Sequence, residues 1–224
     1  MSYLFSDLQN KLSSLLGDSN TGTDDQWPLA TRKKELNRGE LQFCKDSHLL
    51  MEYATGTIAS AQLAMPSDWL ETFILIINNQ VVDYTREISI KDYQRYYQWT
   101  GTPPYYYYWR FSGTRYMKFF GSVNGQTYLF YYFKRPTTDL SADSDVSIVD
   151  EEYREGIAYY AAAELLEQIG KTQMADRYRA LYLKYVRDAQ TLSEKLFTTK
   201  DYPNPDVNLV GGPTQDVQGG GYTV

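Results

Sequence analysis

The chain has 224 residues, enough for one sizeable core, and carries 28 acidic against 22 basic side chains for a net charge of −6. It has no basic run that would grip phosphates by counterion release, which argues against sequence-specific nucleic-acid binding; one cysteine (Cys44) and one histidine (His48) rule out an internal disulfide and the usual zinc ligand sets. No stretch reaches the roughly 18 apolar residues of a membrane span, and MSYLFSDLQNKL has neither a basic nor a cleavable apolar leader, so a soluble protein made in the cytoplasm is expected.

In chain order, Leu4, Phe5, Leu8, Leu12, Leu15 and Leu16 stand at helical spacing and Gly17 follows as a stop, predicting a helix over about 3–16. After a polar loop, Pro28 suits the first turn of a second helix running to about 46. On it Leu29, Leu36 and Phe43 form a narrow stripe, and Arg32, Lys33, Lys34, Glu35, Arg38 and Glu40 fill the polar faces.

A β region is predicted over about 70–135. Phe73 to Ile77, the turn signal Asn78-Asn79 and Val81-Val82 read as a hairpin. Ser89 and Asp92 can cap a short helix over Lys91 to Tyr97, and Thr100 to Pro104 breaks the chain. The aromatic runs Tyr105 to Phe111, Thr114 to Phe120 and Thr127 to Arg135 then fit an antiparallel meander. Tyrosine is abundant, with 22 copies, and its flat apolar face with a polar tip suits surfaces that are half core and half interface.

The last third is helical again. Asp150, Glu151 and Glu152 put negative charge in the first turn of a helix over about 150–169, where the dipole favours it; Ile157, Tyr160, Ala161, Leu165 and Ile169 supply its apolar face, and Gly170 closes it. Thr172 can cap a helix over about 172–196 with Met174, Tyr178, Leu181, Tyr185, Leu192 and Leu196 on one face. The fold class is therefore α+β: two N-terminal helices plus a C-terminal helical hairpin in a bundle, with an inserted antiparallel β region, all in one domain over 1–197. Residues 198–224, rich in Pro, Asn, Gly, Asp and Gln, form an extended arm that cannot bury enough surface to fold alone.

Four phrases, Leu36-Asn37, GTPPYYYYW around Gly101, Pro103 and Tyr105, LFYYFKRPTTDLS from Leu129 to Ser141, and YYAAAELL from Tyr159 to Leu166, occur in this layout. With it, the chain resembles the head-to-tail adaptor (connector) proteins of tailed bacteriophages. That resemblance implies a structural protein of the virion neck with no enzymatic activity and no cofactor. It implies a ring of identical subunits, dodecameric in the family, attached to the portal protein, meeting a tail or nozzle protein, and passing double-stranded DNA without reading its sequence. An acidic subunit suits such a duct, because repulsion lets DNA slide. The arm would become ordered on the portal or on a neighbouring subunit. Contact residues are then expected at Tyr105, Tyr107 and Trp109, at Tyr178, Tyr182 and Tyr185, and at Tyr202, Leu209, Val210 and Tyr222 of the arm.

The alternative is a carbohydrate- or receptor-binding accessory domain that uses the aromatic block Tyr93 to Phe133 as a stacking platform. Other candidates have plainer readings. Asp139, Asp143, Asp145 and Asp150 lack the glycine and terminal glutamate of an EF-hand and read as a solvated loop leading into a helix cap. Cys44 and His48 share a helical face without a partner acid, and Glu164, Glu167 and Asp176 read as the wet side of amphipathic helices.

Overall fold

A computed structural model describes residues 3–18, 26–82, 105–111, 114–120 and 123–198, and only the backbone of residues 105, 107, 109–111, 120 and 194–198. Helix α1 (Phe5–Leu16) starts where the Asp7 carboxylate accepts the Leu4 N–H at 2.7 Å. It stops at Gly17, whose φ of +76° lets the Asp18 N–H reach back to Ser13 O at 3.0 Å. Pro28 stands one position before α2 (Leu29–Ser47), not within its first turn; its carbonyl accepts the Thr31 and Arg32 N–H groups. A 3₁₀ turn, Glu151–Tyr153, precedes α3 (Arg154–Gln168), and α4 spans Thr172–Thr198. Gly170, at φ +74°, joins these two: its N–H bonds Glu167 O, and the Lys171 N–H bonds Leu166 O.

The four helices share one core. Helix α3 is its centre: Ile157, Ala158, Ala161, Ala162, Ala163, Leu165 and Leu166 are all buried, around most of its circumference, because α1, α2 and α4 each pack on it. Its small residues permit close approach, and so does Gly39 of α2, where an added Cβ would lie 2.9 Å from Ile157 O.

Two expected faces are corrected. On α2, Leu36 and Phe43 are buried but Leu29 is 41% exposed, whereas Arg32, Glu35 and Glu40, expected on polar faces, are buried. Each charged group is tolerated there because it finds a partner: Arg32 Nη1 donates to Ser13 Oγ at 2.6 Å, Arg38 pairs with Glu35, and Glu40 holds the linker described below. On α4 the buried face is Ala175, Tyr182, Val186, Ala189 and Ser193, rotated by about one residue from the predicted stripe, and Met174 is exposed. Small residues win the centre of the contact because the helices lie close, and Tyr178, Tyr185 and Leu192 flank it.

The β region forms two antiparallel sheets, not one meander, and begins at Met51 rather than near residue 70. The first sheet has the order β1 (Met51–Thr57), β7 (Thr127–Lys134), β3 (Trp69–Ile77), β4 (Gln80–Val81); the second has β2 (Gln62–Ala64), β6 (Thr114–Phe120), β5 (Tyr105–Phe111). The β3–β4 hairpin turns on Asn78 and Asn79, both at positive φ, flanked by the Ile77–Gln80 pair, as the sequence predicts. A second core of Ile58, Met65, Leu75, Ile77, Met117, Phe130 and Tyr132 fills the space between strands. The short helix expected over 91–97 and the break at 100–104 lie outside the described residues.

Candidate contact surfaces

The acidic segment from Asp139 to Asp150 is solvated, with Asp139, Asp143 and Asp150 exposed and Asp150 at the N-cap of the 3₁₀ turn as expected, and it is also hydrogen-bonded to the helices. Asn37 Nδ2 donates to Leu140 O at 3.0 Å, and the Leu140 N–H donates to Asn37 Oδ1 at 2.7 Å. The Phe5 and Ser6 N–H groups, exposed as the first donors of α1, bond Asp145 O and Asp143 O. Asp145 folds the turn on itself, accepting the Ser141 and Ala142 N–H groups at 2.7 and 2.8 Å, which holds its carboxyl below the usual range. Glu40, buried, accepts the Ser147 hydroxyl at 2.5 Å and the Ile148 N–H at 3.0 Å. Loss of water raises its carboxyl above the ordinary value, against the pull of those two bonds. Arg154 closes the arrangement by donating to the carbonyls of Val149, Tyr3 and Ser147. Three of the four phrases quoted above thus converge: Asn37 grips Leu140, and the alanine-rich helix packs beneath them.

Of the expected contact tyrosines of α4, Tyr182 lies in the subunit's interior, and Tyr178 and Tyr185 lie at its edge. Tyr182 is 3% exposed, its ring lies 5.2 Å from Tyr160, and its hydroxyl donates to Asp46 Oδ2 at 2.5 Å; burial and that carboxylate push its pKa up. It is a core residue. Tyr178 and Tyr185 are half-buried against Tyr159, and their hydroxyls donate to Leu15 O and Glu155. Lys11 sits 5.3 Å over the Tyr159 ring while bonding Glu155 at 2.9 Å. The side chains of Tyr105, Tyr107 and Trp109, and the whole of Tyr202, Leu209, Val210 and Tyr222, lie outside the described residues.

Outward apolar surface occurs elsewhere. On the first sheet the pairing of Tyr53 with Tyr131, and of Tyr131 with Ile74, places Met51, Tyr53, Leu129, Tyr131, Ile74 and Ile76 on one face. Tyr53 is 59% exposed there, and the bulge that shifts the β3 register leaves Phe73 51% exposed. Alternation of Met51, Tyr53 and Thr55 was the available sequence signal for β1, masked by Gly56 and the small residues around it; a Cβ added at that glycine would lie 3.1 Å from the Tyr128 ring. On the helical side, exposed Leu183 borders a cleft of about 230 Å³ lined by Asp46, Tyr160, Glu164, Arg179 and Tyr182.

A cleft of about 450 Å³ between α2 and the sheets is lined by Lys45, Trp69, Glu71, Thr72, Tyr106 and Tyr108. Its indole is not an open platform: Trp69 is 9% exposed, with Tyr108 at 5.1 Å and the Arg115 guanidinium at 5.4 Å on its ring. Cys44 is buried, and loss of water pushes its thiol up to about 12, which leaves too little thiolate for a nucleophile. Among the described residues no three His, Cys, Asp or Glu side chains cluster as metal ligands, and no helix is long and apolar enough to cross a membrane.

The chain is thus a helical core strapped by a long acidic linker, with an inserted β region displaying apolar surface. The model of the SU10 adaptor protein family matches residues 3–205, and the chain belongs to that family of phage head-to-tail adaptors. It is a structural component of a bacteriophage virion that assembles with other head and tail proteins. No curated protein matches the chain.

Proposed function

We infer that the chain is one subunit of a ring, dodecameric as in related adaptors, which joins the portal vertex to the tail and extends the DNA channel. The observation that carries this reading is the family match together with the outward apolar sheet face bearing Tyr53 and Phe73, a surface of the kind that marks a protein contact. The helical core, tied by Arg154 and Glu40, supplies the stiff wall such a ring requires, and the arm after Thr198 is the segment that orders on the portal or a neighbour. Tyr178 and Tyr185 keep partly exposed edges that a neighbouring subunit can meet; Tyr182 does not. The chain's net charge of −6 suits a duct through which DNA slides. Carbohydrate binding is the weaker reading, since the aromatic cleft has its indole already covered on the ring face.

The test is the mass of the purified protein alone and mixed with the portal protein of its phage, by light scattering and negative-stain microscopy. Rings, or a monomer that forms a ring on the portal, support the reading. A monomer indifferent to the portal overturns it.

A further inference from the structure

The outer edge of β1 is open. Lys134 N–H donates to Leu50 O and Ile58 N–H donates to Gln126 O, so by antiparallel alternation the even-numbered residues of β1 bond β7. Met51, Tyr53, Thr55 and Thr57 therefore turn their N–H and C=O groups away from the sheet. Among the described residues no strand pairs with them; Tyr53 N–H has only a 3.3 Å bond to the neighbouring Glu52 carboxylate. A seven-residue open edge is a template for another strand, and natural proteins rarely leave one uncovered.

The chain itself supplies an occupant. Ser193 Oγ donates to His48 O at 3.0 Å, which brings α4 beside the start of β1 shortly before the helix ends at Thr198. The remaining helix adds about 7.5 Å, and residues 199–205 can span at most about 24 Å. Next comes Asp206-Val207-Asn208-Leu209-Val210, a strand-length stretch bounded by Pro205 and Gly211 in which Val207 and Leu209 alternate with polar residues. No other part of residues 199–224 combines three branched apolar residues within five positions.

We propose that the outer edge of β1 is a strand-addition site, filled in the free subunit by the chain's own residues 206–210, which enter at the Met51 end and run parallel to β1. The arm thereby closes an edge that would otherwise pair with other chains. The proposal concerns the isolated subunit and does not depend on ring formation, so it can fail while the ring reading holds, and the reverse.

The experiment uses the full chain with Thr55→Cys combined in turn with Val207→Cys, Asn208→Cys or Leu209→Cys, oxidised at micromolar dilution. Native Cys44 is buried and stays out of the reaction. An intramolecular disulfide in at least one pair, at monomer mass, is expected; disulfide dimers only, or no closure in any pair, overturn the proposal. As a readout independent of the cysteines, amide exchange at Met51, Tyr53, Thr55 and Thr57 should be at least tenfold slower in the full chain than in a chain ending at Thr198. Equal rates overturn it.

Discussion

Asn37 and Leu140, 103 positions apart, hold each other through a pair of hydrogen bonds in which one side-chain amide serves both backbone groups of its partner. Only an amide side chain can donate and accept in this way. Asn37→Ala should cost about 2 kcal/mol, two bonds at about 1 kcal/mol each. Asn37→Asp should be no better, because its carboxylate faces the Leu140 carbonyl. Urea denaturation followed by circular dichroism measures both; an unchanged midpoint in Asn37→Asp would show the strap to be dispensable.

Glu40 carries a pH signature. Its folded-state pKa is raised, so the folded chain binds more protons than the unfolded chain between the ordinary carboxylate value and the raised one. Stability from this group is therefore fullest at low pH and declines as pH rises through that window. Glu40→Gln keeps an oxygen that accepts from Ser147 and Ile148, and should gain stability relative to the parent as pH rises through that window, which thermal melts across a pH series measure. Glu40→Ala leaves the Ile148 N–H and the Ser147 hydroxyl without their acceptor and should lose about 1–3 kcal/mol, the loss being largest at low pH.

Tyr182→Phe removes one oxygen from a buried site and leaves Asp46 without its shortest partner. A loss of about 1.5–3 kcal/mol is expected, as for hydrogen bonds to charged groups. Tyr178→Phe gives up a longer bond to a carbonyl at a more open position and should lose about 1 kcal/mol or less. Reversal of that order in chemical denaturation would contradict the placement of Tyr182 in the core.

Gly39→Ala places a methyl carbon within 2.9 Å of the Ile157 carbonyl, a backbone atom of the central helix that cannot swing aside. Overpacking of this kind costs about 1–3 kcal/mol. Gly125→Ala, where nothing lies within 4 Å but φ is +78°, probes backbone strain alone and should cost about 1 kcal/mol. Differential scanning calorimetry of the two variants separates crowding from conformation.

A chain ending at Phe197 should keep the helical circular dichroism of the parent, because it retains every described residue of the shared helical core, the last of which is Leu192. The same truncation should abolish capture by the portal protein in a pull-down. Retained capture would place the docking surface elsewhere, with the outward face of Tyr53 and Phe73 the next to mutate.

Helices were legible wherever the sequence carried both a period and a stop. Gly17 and Gly170 end α1 and α3 by the left-handed turn only glycine adopts without strain, and Asn78-Asn79 named its own hairpin. Strand partnership was not legible: β7 follows β6 in sequence yet pairs with β1 and β3, a choice made by packing between distant segments. The role of the acidic linker was hidden for the same reason. Its bonds to Asn37, Glu40 and the N-terminus of α1 join residues more than a hundred positions apart, and no local pattern reports them. One tyrosine misled in the opposite direction: read as an outward contact, Tyr182 lies in the core against Tyr160 of α3.

The β region leaves the helical part after Leu50 and returns at Lys134, and those two residues are joined by a backbone hydrogen bond of 2.9 Å. The chain therefore departs and comes back through a single doorway. Because the two ends lie this close, a short bridge could join them, at the loss of the contacts that Leu70, Glu71 and Phe133 make with the helical part. A shortened protein with a few glycines between Leu50 and Lys134 would show whether the four helices hold their shared core without the strands.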